Sequence, residues 1–425
     1  MRTVVARALV LALMLALGPA LAASAAPDGT ATPAPPATLS VVGWPAGVVP
    51  HVPLNFRIVA FARGLEGPRS LLVLPNGDVL VAESRGAEEG RPSANRVTLL
   101  RDSTGAGVAD QRFALITDLN RPVGLALRRD RLLVGVSDAL ESCPFLVGQT
   151  RLHGECHSII DLPSAAGHDR WARPIAVNAD ETRVVAGVGA SGDATADERD
   201  RLEPARATVL SARPDGHDVR TVASGLREPL ALAFEPASGR LYATVGERTL
   251  ADGSRAPDFL THLEDGGFYG WPVALLGNHE DARAAAEHSP LIAATRVPDL
   301  LLPAGSLPRG LVFYHRDQFP KDYRGAAFVA LAGSAGATFD AGFKVVAVPF
   351  ANGKPSGPPT DFVTGFVKDA AAGEVYGRPS AVAVATDGTL LVADESGNTV
   401  WRVIFKCAAC TPDPVVPTGR PRHAH

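Results

Sequence analysis

Charge is scarce in this chain of 425 residues: Asp, Glu, Lys and Arg make up only 20% of it. Acids outnumber bases by 45 to 41, giving a net charge of −4, so there is no basic footprint of the kind that binds a nucleic-acid backbone. Aromatic residues are few, at 6%, and methionine occurs twice. Beyond the N-terminus no apolar run approaches the roughly 20 residues that span a bilayer. Long solvated helices, which are built on charged residues, are thereby disfavoured. What the sequence has in quantity is glycine (42) and proline (35), a composition of many turns and short strands.

The first residues read as an export signal. Arg2 and Arg7 supply positive charge, Ala8–Leu17 is apolar, and Ala20-Leu21-Ala22 and Ala23-Ser24-Ala25 are small-residue cleavage candidates. We expect a signal peptide over 1–26, an Ala/Pro-rich linker over 27–39, a folded region over 40–406 and a C-terminal tail over 407–425. The mature protein is then periplasmic or secreted, with no membrane span. Four cysteines in an exported chain are expected to pair, Cys143 with Cys156 across an insertion and Cys407 with Cys410 in a C-x-x-C. Valines 41, 42, 48 and 49 suggest an opening strand.

One phrase recurs: Pro or Arg-Pro, an apolar run, a turn, and a second apolar run. It occupies 67–84, 121–138, 172–190, 227–247, 308–333 and 378–396. Asn76-Gly77 and Asp387-Gly388 are hairpin turn pairs. Six copies of a strand–turn–strand unit predict an all-β, six-bladed β-propeller, in which each blade needs its neighbours to bury both faces. The last strand, Val400–Phe405, is expected to complete a blade with the N-terminal strand.

Several phrases together resemble the soluble quinoprotein glucose/sorbosone dehydrogenase family, most closely its sorbosone dehydrogenase-like branch. They are GHDRWARPIAVNADETRVVAGVGAS, SGLREPLALAFEPASGRLYATVGER, PDFLTHLEDGGFYGWP, GFKVVAVPFANGKPSGPPTDFVTGF and GRPSAVAVATDGTLLVAD, in family order from about Gly64 to Phe405. The resemblance implies a propeller carrying pyrroloquinoline quinone and calcium at its channel mouth, and oxidation of an aldose or related sugar. His168 matches the family's catalytic histidine; an imidazole, neutral near pH 7, can take the hydroxyl proton. Arg227 matches the arginine of the family's G-L-R-N-P phrase, where a fixed cation stabilises negative charge on the quinone. Arg378 is a candidate partner for a cofactor carboxylate. Arg69 and Arg121 hold comparable positions in earlier copies, a repetition that points to a structural role. In the acidic loop, Glu247 and Asp258, with Asp252, Glu264 and Asp265 nearby, are candidate calcium ligands.

Two positions depart from the family pattern. Glu228 stands where the family phrase has asparagine, and it could bind cofactor or calcium. Ala332-Gly333-Ser334-Ala335-Gly336-Ala337 stands where the family carries His-Gly-Ser-Trp-Asn-Arg. Two further readings therefore remain open: a non-catalytic propeller that binds a carbohydrate or protein, and a calcium-dependent lactone hydrolase. The electron acceptor is not legible.

Overall fold

The computed structural model describes residues 39–86, 92–164, 170–192, 205–250, 252–277, 279–280 and 289–406. The expected signal peptide, most of the linker, the C-terminal tail with Cys407 and Cys410, and His168 lie outside the described residues. The fold is all-β. Among the described residues helix is confined to Ser289–Ala293 and a 3-10 turn at Lys321–Tyr323. None of it is long and apolar enough to cross a membrane.

Each of the six recurring phrases forms the first two strands of a four-stranded antiparallel sheet. The first sheet runs Pro68–Val73, Val79–Glu83, Arg96–Arg101, Gln111–Ile116, and the second Gly124–Arg128, Arg131–Val136, Ala139–Pro144, His157–Asp161. The third runs Ile175–Val177, Val184–Val188, Thr208–Ala212, Arg220–Ser224, and takes Gly267–Phe268 as a fifth, parallel strand. The fourth is Pro229–Phe234, Leu241–Val245, Asp258–His262, Leu300–Leu302; the fifth is Pro308–Phe313, Ala327–Leu331, Lys344–Val348, Thr360–Val363. The sixth is Pro379–Val384, Leu390–Asp394, Thr399–Phe405, and its outer strand is the N-terminal Phe56–Arg63, paired from Phe56 against Phe405 to Arg63 against Thr399. That pairing was expected, but from residues further along than the valines at 41–49. There only Ser40–Val41 is a strand, beside Glu374–Val375, because Gly43 and Gly47 take positive φ and Pro45 intervenes.

The sheets bury both faces, and for that reason their strands read as continuous apolar runs. Along Leu241–Val245, Leu241, Ala243 and Val245 pack towards the third sheet, whereas Tyr242 packs towards the fifth. Every consecutive pair of sheets shares one such core. The last of them joins the sixth sheet to the first through Phe61, Leu391 and Val400 on one side and Leu71, Val79 and Leu100 on the other. The first strands also touch one another in cyclic order. They enclose a cavity of about 130 Å³ whose wall takes Leu71, Leu125, Ile175, Leu232, Leu311 and Val382, one from each sheet.

Because first and second strands run antiparallel, the start of the first and the end of the second lie together. We call this end the mouth. The prolines of the recurring phrase stand there, at or just before the strand start, where a missing N–H costs no ladder bond. Three of their carbonyls are tied to the preceding sheet: Ser84 Oγ donates to Pro122 O (2.7 Å), Thr244 Oγ1 to Pro308 O (2.6 Å) and Ser380 Oγ to Pro68 O (2.6 Å). The Asn76-Gly77 and Asp387-Gly388 turns lie at the opposite end, with Gly77 and Gly388 at φ +89° and +86° as such turns require.

Cys143 and Cys156 form a disulfide that closes the insertion between the outer strands of the second sheet. Replacing both by alanine is expected to cost about 3 kcal/mol, the closure entropy of a loop this short, and urea unfolding of the double variant checks it.

Candidate active site at the mouth

Each recurring phrase brings one arginine to the mouth: Arg69, Arg121, Arg173, Arg227, Arg309 and Arg378. Three of them, from the first, fifth and sixth sheets, meet one carboxylate. Glu395 follows the second strand of the sixth sheet and is 4% exposed. It lies 2.5 Å from Arg69 Nη1, 2.5 Å from Arg309 Nη1 and 3.3 Å from Arg378 Nη1. Burial pushes its pKa up, but the charges of Arg309, Arg69 and Arg378 outweigh burial and bring it down to about 2. The folded chain thus holds this proton less tightly than the unfolded chain. The stability it contributes is complete above the ordinary glutamate range near 4.3 and drains away as pH falls towards 2. Urea midpoints measured down this range should fall more steeply for the natural chain than for Glu395→Gln. The sequence offered one signal for Glu395, an acid just past an inner strand, but nothing in it joins residue 395 to residues 69 and 309.

Arg378 is held further by backbone. Its Nε donates to Ala332 O (3.1 Å) and its Nη2 to Gly333 O. The Ala332–Ala337 run, stripped of the family's polar side chains, therefore serves the mouth through carbonyls. Ala335 O likewise accepts from Arg255 Nη2 at 3.0 Å.

Arg227 is placed by the folding of 224–272 onto itself. Tyr269 N donates to Ser224 O (2.9 Å) and Trp271 N to Gly225 O (3.0 Å). Gly225, at φ +72°, passes so close to Gly270 N that any Cβ would sit 2.7 Å from it. This apposition sets the buried Trp271 ring 5.9 Å from the Arg227 guanidinium and 4.5 Å from that of Arg248. Arg227 Nη1 donates to Glu247 O at 2.8 Å. Glu228 lies between two cations, 3.2 Å from Arg170 Nε and 3.7 Å from Arg227 Nη1. The carboxylate that replaces an amide here is thus balanced by neighbouring charge.

Glu247 and Asp258 lie together, joined by Glu247 N donating to Asp258 Oδ1 (2.8 Å). Asp258 Oδ2 accepts from Leu307 N (2.8 Å) and Ser306 Oγ (3.0 Å), while Glu247 pairs with Arg248 at 3.2 Å. Burial raises the Asp258 pKa to about 6. The rest of the acidic loop is dispersed: Asp252 accepts from Ser254, Glu264 pairs with Arg296 and Asp265 with Arg220. A second loop with acids, 102–110 between the third and fourth strands of the first sheet, is at the opposite end, with Asp102 accepting from Ala106 N and Gly107 N, and Asp110 from Ser103 N.

His168 belongs to the connection between the second and third sheets, whose described flanks are tied at the mouth. The buried Arg173 donates to Pro163 O (2.7 Å) on one side and to Arg170 O (2.5 Å) on the other. Arg170 reaches Glu228, and Trp171 packs beneath Arg69, 5.1 Å from its guanidinium.

The stretch that carries Arg227, Glu228, Glu247, Asp258 and the Ala332–Ala337 run has a known counterpart. Residues 208–342 match the Glucose / Sorbosone dehydrogenase family model. The resemblance to glucose/sorbosone dehydrogenases therefore stands over this stretch, which begins after His168 and ends before Arg378. Solved structures are similar over most of the chain. The calcium structure of a Trichoderma reesei carbohydrate-active enzyme of family AA12 aligns with TM-score 0.70 and 16% identity, covering 86% of this chain and 98% of that one. The holo pyranose dehydrogenase PQQ domain of Coprinopsis cinerea gives 0.68 and 18%, covering 86% and 100%. The PQQ-bound aldose sugar dehydrogenase of Streptomyces coelicolor gives 0.56 and 18%, covering 83% and 99%. At these identities the likeness carries the fold.

Proposed function

We propose that this chain is a six-bladed β-propeller sugar dehydrogenase that uses pyrroloquinoline quinone, with calcium as its companion ion, in the periplasm or outside the cell. The observation that carries this reading is the convergence of guanidinium groups at the mouth. The quinone is a tricarboxylate, and Arg69, Arg121, Arg227, Arg309 and Arg378 come from five of the six sheets of an otherwise acidic chain. The carboxylates among them, Glu228 and Glu395, are already paired with arginine. The donor set suits such a group. Calcium is served less well, since it takes six to eight oxygens and those of Glu247 and Asp258 are engaged as they stand.

The quinone, when bound, supplies the acceptor for a hydride. The remaining work falls to side chains. His168 takes the proton of the sugar hydroxyl, which lets the carbon–hydrogen bond break as hydride. Arg227, fixed by Glu247 O and facing Trp271, offers a preorganised positive charge to oxygen that turns negative. Arg378 and its partners bind carboxylate. Export is supported by the leader-like N-terminus and by the Cys143–Cys156 disulfide.

The test is reduction of an artificial electron acceptor by an aldose panel after loading with the quinone and calcium. Arg227→Ala should lower kcat by about 10²- to 10³-fold, as removal of one charge-stabilising donor does elsewhere. A second reading, a propeller that binds carbohydrate without quinone chemistry, is favoured by the bare Ala332–Ala337 wall. It would give sugar binding with no acceptor reduction.

A further inference from the structure

The end opposite the mouth carries a second concavity. Between the second and third sheets lies a cleft of about 930 Å³, the size of a small-molecule site. Turns 128–131, 180–183 and 213–215 wall it, whereas 165–169 and 193–204, outside the described residues, join strand ends at the mouth. One wall is the face of the second sheet that packs on the third. Leu133 belongs to that shared core, and Arg131, two residues before it, projects from the same face. Arg128 stands directly opposite Arg131, and Ser142 stands opposite both Leu133 and His157. All four polar side chains therefore share one face, and all four line the cleft.

This wall lacks an anion in two respects. Like charges directly opposite on neighbouring strands destabilise a sheet, and Arg128 and Arg131 are such a pair. Arg128 Nε donates to Glu181 O (2.9 Å), a carbonyl that leaves its charge uncancelled, and Arg131 has no hydrogen bond or ion pair among the described residues. Ser142 is 4% exposed, and its hydroxyl also lacks a partner among the described residues, at a free-energy cost that a ligand would remove. The acids across the cleft are engaged elsewhere: Glu181 with Arg129 (3.4 Å), Asp215 with Arg213 (3.3 Å) and Asp180 with Thr182.

We propose that this cleft binds a ligand bearing a tetrahedral oxyanion, the group of a phosphate or sulfate ester. Arg131 and Arg128 meet its charge and Ser142 donates a hydrogen bond. The inference is independent of the dehydrogenase reading. A carboxylate has two oxygens, which a single guanidinium fork satisfies. Two guanidinium groups, a hydroxyl and the His157 imidazole offer more donors than that, and suit three or four oxygens. The volume exceeds what a bare ion fills, which points to an ester rather than the free anion.

Calorimetric titration of the purified chain with inorganic phosphate, sulfate, glucose 6-phosphate, glucose 6-sulfate and acetate, in about 0.15 M sodium chloride, tests this. The tetrahedral anions should fill one saturable site per chain, with acetate at least about 10-fold weaker. Whichever ester binds more tightly than its free ion identifies the natural group. Arg131→Ala should weaken binding at least about 10-fold, and Arg131→Lys should restore part of it. Arg129→Ala removes an equal charge that is exposed and already paired, and should stay within about 2-fold. Ser142→Ala should weaken binding a few-fold while the urea midpoint of the free chain stays level or rises, since no internal hydrogen bond is lost. Absence of saturable binding to the natural chain overturns the proposal. Equal losses in Arg129→Ala and Arg131→Ala also overturn it, being the mark of diffuse attraction. Acetate binding as tightly as phosphate would refute the tetrahedral geometry, and a midpoint lowered by Ser142→Ala would make that hydroxyl structural.

Discussion

Replacing Glu395 with glutamine is expected to destabilise the fold by about 3–5 kcal/mol, because removal of one partner from a buried ionic cluster leaves charge uncompensated in a poorly hydrated site. Three sheets are at stake: Arg69 comes from the first, Arg309 from the fifth and Arg378 enters the sixth, and Glu395 meets all three. Arg69 retains Ser84 O, and Arg378 retains the carbonyls of Ala332 and Gly333, but a carbonyl does not cancel a formal charge. The amide would occupy the same volume, so loss of packing cannot account for the effect. Equilibrium urea unfolding measures it. A change under about 1 kcal/mol, the range of an exposed pair, would show that the cluster is not a strut.

Replacing His168 with alanine is expected to reduce kcat by about 10²- to 10⁴-fold, the usual worth of a positioned general base, while quinone affinity stays within a few-fold. Stopped-flow reduction of the loaded enzyme, read before any acceptor step, separates this from slow turnover by the acceptor. Equal rates in the two proteins would remove His168 from the mechanism and leave the sugar-binding reading in its place.

The inner half of every sheet was legible because its chemistry is local. Each recurring phrase holds an apolar run, a turn and a second run, and each folded as that pattern dictates, from Pro68–Val73 with Val79–Glu83 to Pro379–Val384 with Leu390–Asp394. Pairing of the last strand with an N-terminal one was also foreseeable, since a ring of sheets must close. The pairing residues, Phe56–Arg63, were less so, because valine content drew attention to a segment interrupted by Gly43, Pro45 and Gly47. At the site, Arg227 and Arg378 were visible through phrases that resemble a known family. Glu395 was not, since its meaning depends on arginines more than 80 and 300 residues distant. Arg69 and Arg121 hold comparable positions in successive copies, a repetition that reads as structural. Recurrence in a ring places side chains around one mouth, which is how a repeated structural residue becomes a shared site. The partners of Glu228 were hidden for a related reason: Arg170 is 58 positions away in sequence.

The most direct test of the central claim is titration of the purified mature chain with pyrroloquinoline quinone in the presence of calcium, followed by absorbance and by calorimetry, with Arg378→Ala and Arg227→Ala alongside. The account predicts saturable binding of one quinone per chain, weakened at least about 10-fold in each arginine variant, since each loses a charge-assisted contact. Binding that is absent from the natural chain, or indifferent to both arginines, would contradict it.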